Sequence, residues 1–420
     1  MYSLGVIVIL GLLCYVCAQN KTDQTIYLHQ LPNTRQTTVS FGPCRVVFNP
    51  QCPDPDVTFF MYSTANPENP EQIFMAPHVR ETNLDKTAFD PSKPSKIIIH
   101  GYNSNMFLNG LTELRKEYLK TNDYNIFAVD WSPLNQAPCY PAAVWNSRHV
   151  GTCTAQLVDR IKDMGASDIH IIGFSLGAQI ANFLSVALRP YKLPRITGLD
   201  PALPGFITAS TENKLDRTDA NFVDVYHTNA FMQGKAEESG HVDFYFNGGS
   251  IQPGCWGTES ENFFSCNHHR APLYYAESIN SDKGFWGWQC PSYQTYLFGG
   301  CPPNEVQVLL GESIDKALMG TYMVITSSAP PFAIGRFNTS FSINRVKYAP
   351  PTPPPKPAPL MEKYEQEVLN PSIVEEDQLF NEILEEQNKN ANSLPSPIYY
   401  DDFGILPNYF YNEFHNNKIV

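Results

Sequence analysis

Short apolar runs recur at Lys96–His100, Asn125–Val129, Asp168–Ile172, Arg195–Leu199, Phe222–His227 and Val242–Phe246, and each reads as a strand. Between them Leu111–Thr121, Thr152–Met164 and Ala178–Leu188 carry apolar positions at helical spacing. Strands alternating with helices predict an α/β fold: a mainly parallel sheet covered by helices. Tyr322–Thr326 and Phe341–Val346 are expected to add a late edge. No internal repeat is visible.

At Pro350 the alternation stops. Pro350 to Pro359 holds seven prolines in ten residues, which favours an extended polyproline linker. The chain carries a net charge of −13, and twelve acids against four bases fall between Tyr348 and Val420. Residues 350–420 therefore read as a disordered, solvated tail, although Leu379–Asn388 has the spacing of a short helix. The aromatic and acidic residues of Ile398–Phe414 leave open a segment that docks a partner or folds over the site. At the other end, Met1–Ala18 is apolar, too short to span a membrane comfortably, and ends in the small-residue cleavage pattern Val16-Cys17-Ala18. A signal peptide over residues 1–18 leaves 19–349 as one domain, long enough to bury a large core.

Cysteine usage agrees with secretion. Cys14 and Cys17 belong to the leader; eight others remain, an even number that suits an oxidising compartment. Proximity in sequence pairs Cys44 with Cys52, Cys139 with Cys153, Cys255 with Cys266 and Cys290 with Cys301. Those eight contain no Cys-x-x-Cys spacing that would point to zinc. Sequons at Asn20-Lys21-Thr22 and Asn338-Thr339-Ser340 fit a secreted glycoprotein. An acidic chain without a basic stripe is not expected to bind nucleic acid.

The chemistry concentrates at Gly173-Phe174-Ser175-Leu176-Gly177, where a strand passes straight into a helix. That context turns a common pentapeptide into a nucleophile elbow: a tight turn that lifts the serine hydroxyl clear of the sheet, next to a helix N-terminus. A serine needs a base and an orienting acid, and in this architecture they follow in the order Ser, Asp or Glu, His. Asp200 ends the next strand, Arg195–Leu199. His227, His241, His268 and His269 are the candidate bases before the tail. The first two sit in apolar, strand-like runs, whereas His268 and His269 read as part of a polar loop after Cys266.

Six segments in one order carry a resemblance: Ile98-Ile99-His100-Gly101-Tyr102, Gly173-Phe174-Ser175-Leu176-Gly177-Ala178, Gly198-Leu199-Asp200-Pro201-Ala202, Asp224-Val225-Tyr226-His227-Thr228, Gly240-His241-Val242-Asp243-Phe244 and Cys266-Asn267-His268-His269-Arg270. Over roughly residues 40–345 the chain resembles the pancreatic lipase family, particularly its insect lipases and phospholipase A1-like members. The resemblance implies an α/β-hydrolase fold, with Ser175 as nucleophile, Asp200 as orienting acid and His268 as base. It implies an oxyanion hole from the backbone N–H groups of Leu176 and Tyr102. Phe174 and Gln179 stand where the family often has histidines, and neither is expected to carry chemistry. No metal or other cofactor is expected: Asp216 and Asp219, after Glu212, resemble part of a family calcium site but read here as solvated acids on a loop.

Substrate choice is expected to follow from the surface loops. By the resemblance, Cys255–Cys266 closes the lid over the site, and Trp256–Ser265 between them is short beside the family's full-length lids. The Asn229–Gly240 segment is short as well. Both features match the phospholipase A1 branch, with triacylglycerol lipase as the alternative and a non-catalytic, yolk-protein-like lipid or partner binder as the reading from another class. Trp256, Phe263 and Phe264 are candidates to dip into lipid at the rim. Lipid aggregates, membranes or lipoprotein surfaces are the expected substrate surface. A 70-residue proline-rich tail cannot supply the C-terminal β-sandwich that binds colipase, so no such partner is expected.

Overall fold

The computed structural model describes residues 27–30, 37–76, 81–120, 124–255 and 263–337. The leader, both sequons, Phe341–Val346, the tail, and the side chains of Trp256, Phe263 and Phe264 lie outside the described residues. Three antiparallel strands come first: β1 (Tyr27–Gln30), β2 (Thr37–Phe41) and β3 (Cys44–Phe48). The main sheet and its helices follow in the order β4 (Thr58–Tyr62), β5 (Glu71–Ile73), β6 (Ser95–Ile99), α1 (Asn109–Leu119), β7 (Asn125–Asp130), α2 (Tyr140–Asp163), β8 (Ile169–Phe174), α3 (Leu176–Leu188) and β9 (Leu193–Leu199). After these come β10 (Ala220–His227), β11 (Val242–Phe246), α4 (Phe263–Asn280), β12 (Phe285–Cys290), α5 (Tyr293–Leu297), β13 (Gln307–Leu310) and β14 (Gly320–Val324).

The main sheet has the order β13-β12-β14-β11-β10-β9-β8-β6-β7-β4-β5. From β14 to β7 every neighbouring pair is parallel, and antiparallel strands flank this centre on both sides. The continuous apolar runs have a simple cause. Every residue of β6 and β8 is buried, because helices cover both faces of the sheet. Alternate side chains serve opposite cores: Ile97 and Ile99 join the layer under α2 and α3, whereas Ile98 joins Leu111 and Leu114 of α1 and Tyr274 and Tyr275 of α4.

Several expectations need correction. The Tyr322 strand is not an edge: β14 lies between β11 and β12, and the antiparallel pair β12–β13 forms the rim beyond it. Helix α2 starts at Tyr140, well before Thr152. Its first turns look too polar for a buried helix, yet Asn146 is buried and bonds Val47 N–H, Arg45 O and Leu134 O. The disulfides pair Cys44 with Cys139 and Cys52 with Cys153, not each with its neighbour in sequence; Cys255–Cys266 and Cys290–Cys301 form as expected. The first two bridges bind the N-terminal sheet to α2. They close loops of 95 and 101 residues, each worth about 4–5 kcal/mol in the chain-entropy picture. Four disulfides among the described residues fit an oxidising compartment.

Candidate active site

Ser175 stands between the last residue of β8 and the first of α3, with φ 57° and ψ −120°. A non-glycine residue holds such a backbone only where its surroundings enforce it. The enforcement is local. A Cβ on Gly177 would fall 2.2 Å from the Ile99 carbonyl oxygen, so only glycine lets the helix start this close to β6. A Cβ on Gly101 would fall 2.7 Å from the Ser175 Cβ, which shows how tightly the loop after β6 approaches the serine. Leu176, as the first residue of α3, has an N–H without a helical acceptor behind it.

The Gly101–Tyr102 loop is fixed from below by residues that no motif marked. His100 Nδ1 lies 3.0 Å from Gly101 O, and its Nε2 lies 3.1 Å from Trp131 N and 3.3 Å from Asp130 Oδ1. Asn135 Nδ2 donates to the same carbonyl at 3.1 Å, and Asn135 O accepts from Asn103 N–H at 3.0 Å. Tyr102 then packs edge-on against Tyr140, ring centroids 4.9 Å apart. The loop that presents the Tyr102 amide is thus held at both of its ends.

The acid sits one strand over. Ser175 N–H donates to Leu199 O at 3.0 Å and Ala202 N–H to Ser175 O at 3.2 Å, tying the elbow to the turn that carries Asp200. Asp200 is fully buried, and its Oδ1 accepts the N–H groups of Thr228 at 2.9 Å and Asn229 at 3.1 Å. Its Oδ2 lies 2.5 Å from His268 Nδ1. A carboxylate oxygen at this position accepts, which fixes the imidazole tautomer with its proton on Nδ1. The His268 ring rests on Phe174, centroids 4.6 Å apart, so the residue before the serine also braces the histidine. Ser175, Asp200 and His268 therefore come together at the carboxyl ends of β8 and β9.

His268 is not on a polar loop. It lies in the second turn of α4, two residues after Cys266, and Asn267 Oδ1 anchors that turn by accepting Gln252 N–H at 2.6 Å. Polar residues in sequence and Pro272 inside the helix hid it. Gln179 likewise does more than replace another residue. Buried in α3, it donates to Ala202 O at 2.7 Å and accepts Leu215 N–H at 2.9 Å, bracing the turn after Asp200. His227 is a buried strand histidine, as expected from its run, and returns below; His241 is not, standing half-buried on the bend before β11, where its Nδ1 accepts Val223 N–H at 3.0 Å. Asp219 is a correction. It is buried beneath Asn182, and burial pushes its carboxyl up to about 7, whereas Glu212 turns outward to Arg189. Among the described residues Glu212, Asp216 and Asp219 do not converge on a common cation position.

His269 makes a testable contrast with its neighbour. Burial, and then the charge of His268, push it from an ordinary 6.5 down to about 4. Between these values the unfolded chain binds a proton that the folded one refuses. Stability should therefore fall as pH drops from 6.5 to 4 and level off below. With partial exposure allowed for, the effect is roughly 2 kcal/mol. His269→Gln should lack this loss, so that urea midpoints of the variant and the parent diverge across the window. Parallel curves would show that His269 does not cause it.

A serine turn at the carboxyl end of a parallel sheet, followed in chain order by acid and histidine, defines an α/β-hydrolase. Residues 29–330 match the family model described as lipase. Pancreatic lipase-related protein 2 of Cavia porcellus is 34% identical over 306 residues, covering 69% of this chain and 68% of that protein. Pancreatic triacylglycerol lipase of Mus musculus is 32% identical over 323 residues, 69% and 67%. Inactive pancreatic lipase-related protein 1 of Canis lupus familiaris is 32% identical over 318 residues, 68% and 66%. The chain belongs to the pancreatic lipase family, and it spans about two thirds of the length of these relatives. Among solved structures an esterase of Pyrococcus furiosus aligns at TM-score 0.27 and 15% identity, over 36% of this chain and 67% of its own, too distantly to add to the assignment.

Proposed function

We propose that this protein is a secreted serine ester hydrolase that releases fatty acids from acyl lipids, with phospholipid at least as good a substrate as triglyceride. The observation that carries the reading is the 2.5 Å bond from His268 Nδ1 to a doubly amide-bound Asp200, set beside the Ser175 elbow. Ser175 Oγ attacks the ester carbonyl while His268 Nε2 takes its proton. The oxyanion forms against the Leu176 and Tyr102 amides. His268 returns the proton to the leaving alcohol, and water, activated the same way, releases the acid and restores the serine. Every step runs on this chain's own groups.

The phospholipase A1 preference rests on the loops. The short Asn229–Gly240 segment folds back on itself, with Ala202 bridged to Gly234 and Leu203 N–H donating to Gln233 O. It leaves Phe231 49% and Met232 45% exposed, apolar side chains at the carboxyl end of the sheet where a lipid surface would meet them. With only ten residues between Cys255 and Cys266, a polar head group has room beside Ser175. Mixed-acyl phosphatidylcholine and a triglyceride emulsion, compared by product analysis, are expected to show sn-1 release from the phospholipid at a rate at least comparable with triglyceride hydrolysis. Deletion of residues 350–420 should change the ratio little, and no colipase should be required. Strong triglyceride preference with negligible phospholipid cleavage would install the triacylglycerol reading instead. One observation favours a non-catalytic binder: the similarity to a relative named inactive. Ester turnover lost in Ser175→Ala would remove that reading.

A further inference from the structure

The chain after β10 wraps around Asp200, and its closure depends on two buried side chains outside the site described above. Thr228 and Asn229 point their amides at one carboxylate oxygen. The chain then turns back: Gly234 N–H donates to Asn229 O at 3.0 Å and Lys235 N–H to Pro201 O at 2.8 Å. Gly234 lies flat on the acid, since a Cβ there would fall 2.4 Å from Asp200 Oδ1. The carboxylate is thus enclosed by a loop that starts and ends near His227.

His227 fastens that loop. Its Nδ1 lies 2.8 Å from Lys235 O and its Nε2 2.9 Å from Asp243 Oδ1. The imidazole therefore bridges the Lys235 carbonyl of the loop to the Asp243 carboxylate. Asp243 also accepts Ser239 N–H at 2.8 Å and Gly240 N–H at 3.0 Å, which pins the far end of the segment. Tyr245 stacks on the imidazole, centroids 4.2 Å apart and planes within 7°. An apolar residue would fill this space without the desolvation that a buried His–Asp pair costs, so packing alone does not account for it.

We propose that Asp243, acting through His227, is a positioning residue for Asp200. The pair locks the 228–235 loop so that its amides hold the carboxylate in the orientation that receives His268. This rests on the ester-hydrolase reading above, and a double-mutant cycle tests it with a soluble activated ester, rates being normalised to sites titrated by a fluorophosphonate. Asp243→Asn should lower kcat about 10- to 100-fold with KM within about twofold, the scale on which losing an outer-shell orienting partner acts. In an Asp200→Asn background the same substitution should cost less than about threefold, because the group it orients is already disabled. His227→Gln should behave likewise, and it carries the test if Asp243→Asn does not fold. The far-downfield proton resonance of the His268–Asp200 bond should shift or broaden in either variant. Equal losses in both backgrounds, or an unchanged kcat per titrated site, would overturn the proposal. Parent protein that neither turns over ester nor labels would defeat the ester-hydrolase reading first, and this proposal with it.

Discussion

Asp200→Asn should lower kcat about 10,000-fold while the protein stays folded. The asparagine oxygen can still accept the Thr228 and Asn229 amides, so the loop around it keeps its bonds. Its NH2 group, however, faces His268 Nδ1 where a carboxylate accepted a proton. The imidazole then turns to the other tautomer, with the proton on Nε2, and cannot take one from Ser175. KM and thermal midpoint should hardly move, because Asp200 is buried and touches no substrate. Initial rates on a soluble ester, with a melting curve of the same sample, decide it. A loss under about tenfold would remove Asp200 from its assigned role.

The second large effect is on stability and lies at the opposite ends of the strands. Lys96, His170 and Arg195 are register neighbours on β6, β8 and β9, all buried. Burial and the two neighbouring cations push His170 well below its ordinary range, which removes one charge from the row. Glu312 serves the others. It pairs with Lys96, approaches Arg195 at 3.6 Å, and accepts the hydroxyls of Tyr118 at 2.6 Å and Tyr275 at 2.8 Å. Arg195 also holds Asp224 through two 2.9 Å bonds. Burial raises the Glu312 carboxyl, but Lys96 and Arg195 more than offset this and leave it below the usual range. Its stabilisation is therefore present at neutral pH and lost as pH falls through that lowered value. Glu312→Ala removes the anion shared by a buried lysine and two tyrosine hydroxyls, and should cost about 3–5 kcal/mol. Urea unfolding at pH 7 measures it; kcat per folded molecule should not change, given the distance along the strands from Ser175. A cost below about 1 kcal/mol would mean that water replaces the carboxylate.

How much of this was legible in sequence follows from where the constraints act. The parallel centre was readable because burial on both faces leaves apolar runs such as Ile97–Ile99 and Ile171–Phe174. Ser175 was readable because the close approach at Gly177 demands glycine, and Asp200 because it ends the next strand. His268 was only partly so: its polar surroundings set it and His269 apart from the two histidines in strand-like runs, and the resemblance chose between that pair. Its helix was masked by Cys-Asn-His-His-Arg and by Pro272. The two long-range disulfides had no local signal, since sequence proximity cannot report a chain that returns after about a hundred residues. Glu312, Asn135 and Gln252 are single polar residues in ordinary surroundings, and their partners become visible only in three dimensions.

Covalent labelling reads directly whether Ser175 is an activated nucleophile. A lipophilic fluorophosphonate incubated with the folded protein should add once per chain, and peptide mass mapping should place the adduct on Ser175. Ser175→Ala should take up none, and Asp200→Asn should label far more slowly. A correctly folded protein that stays unlabelled, or that labels at another residue, would contradict the account.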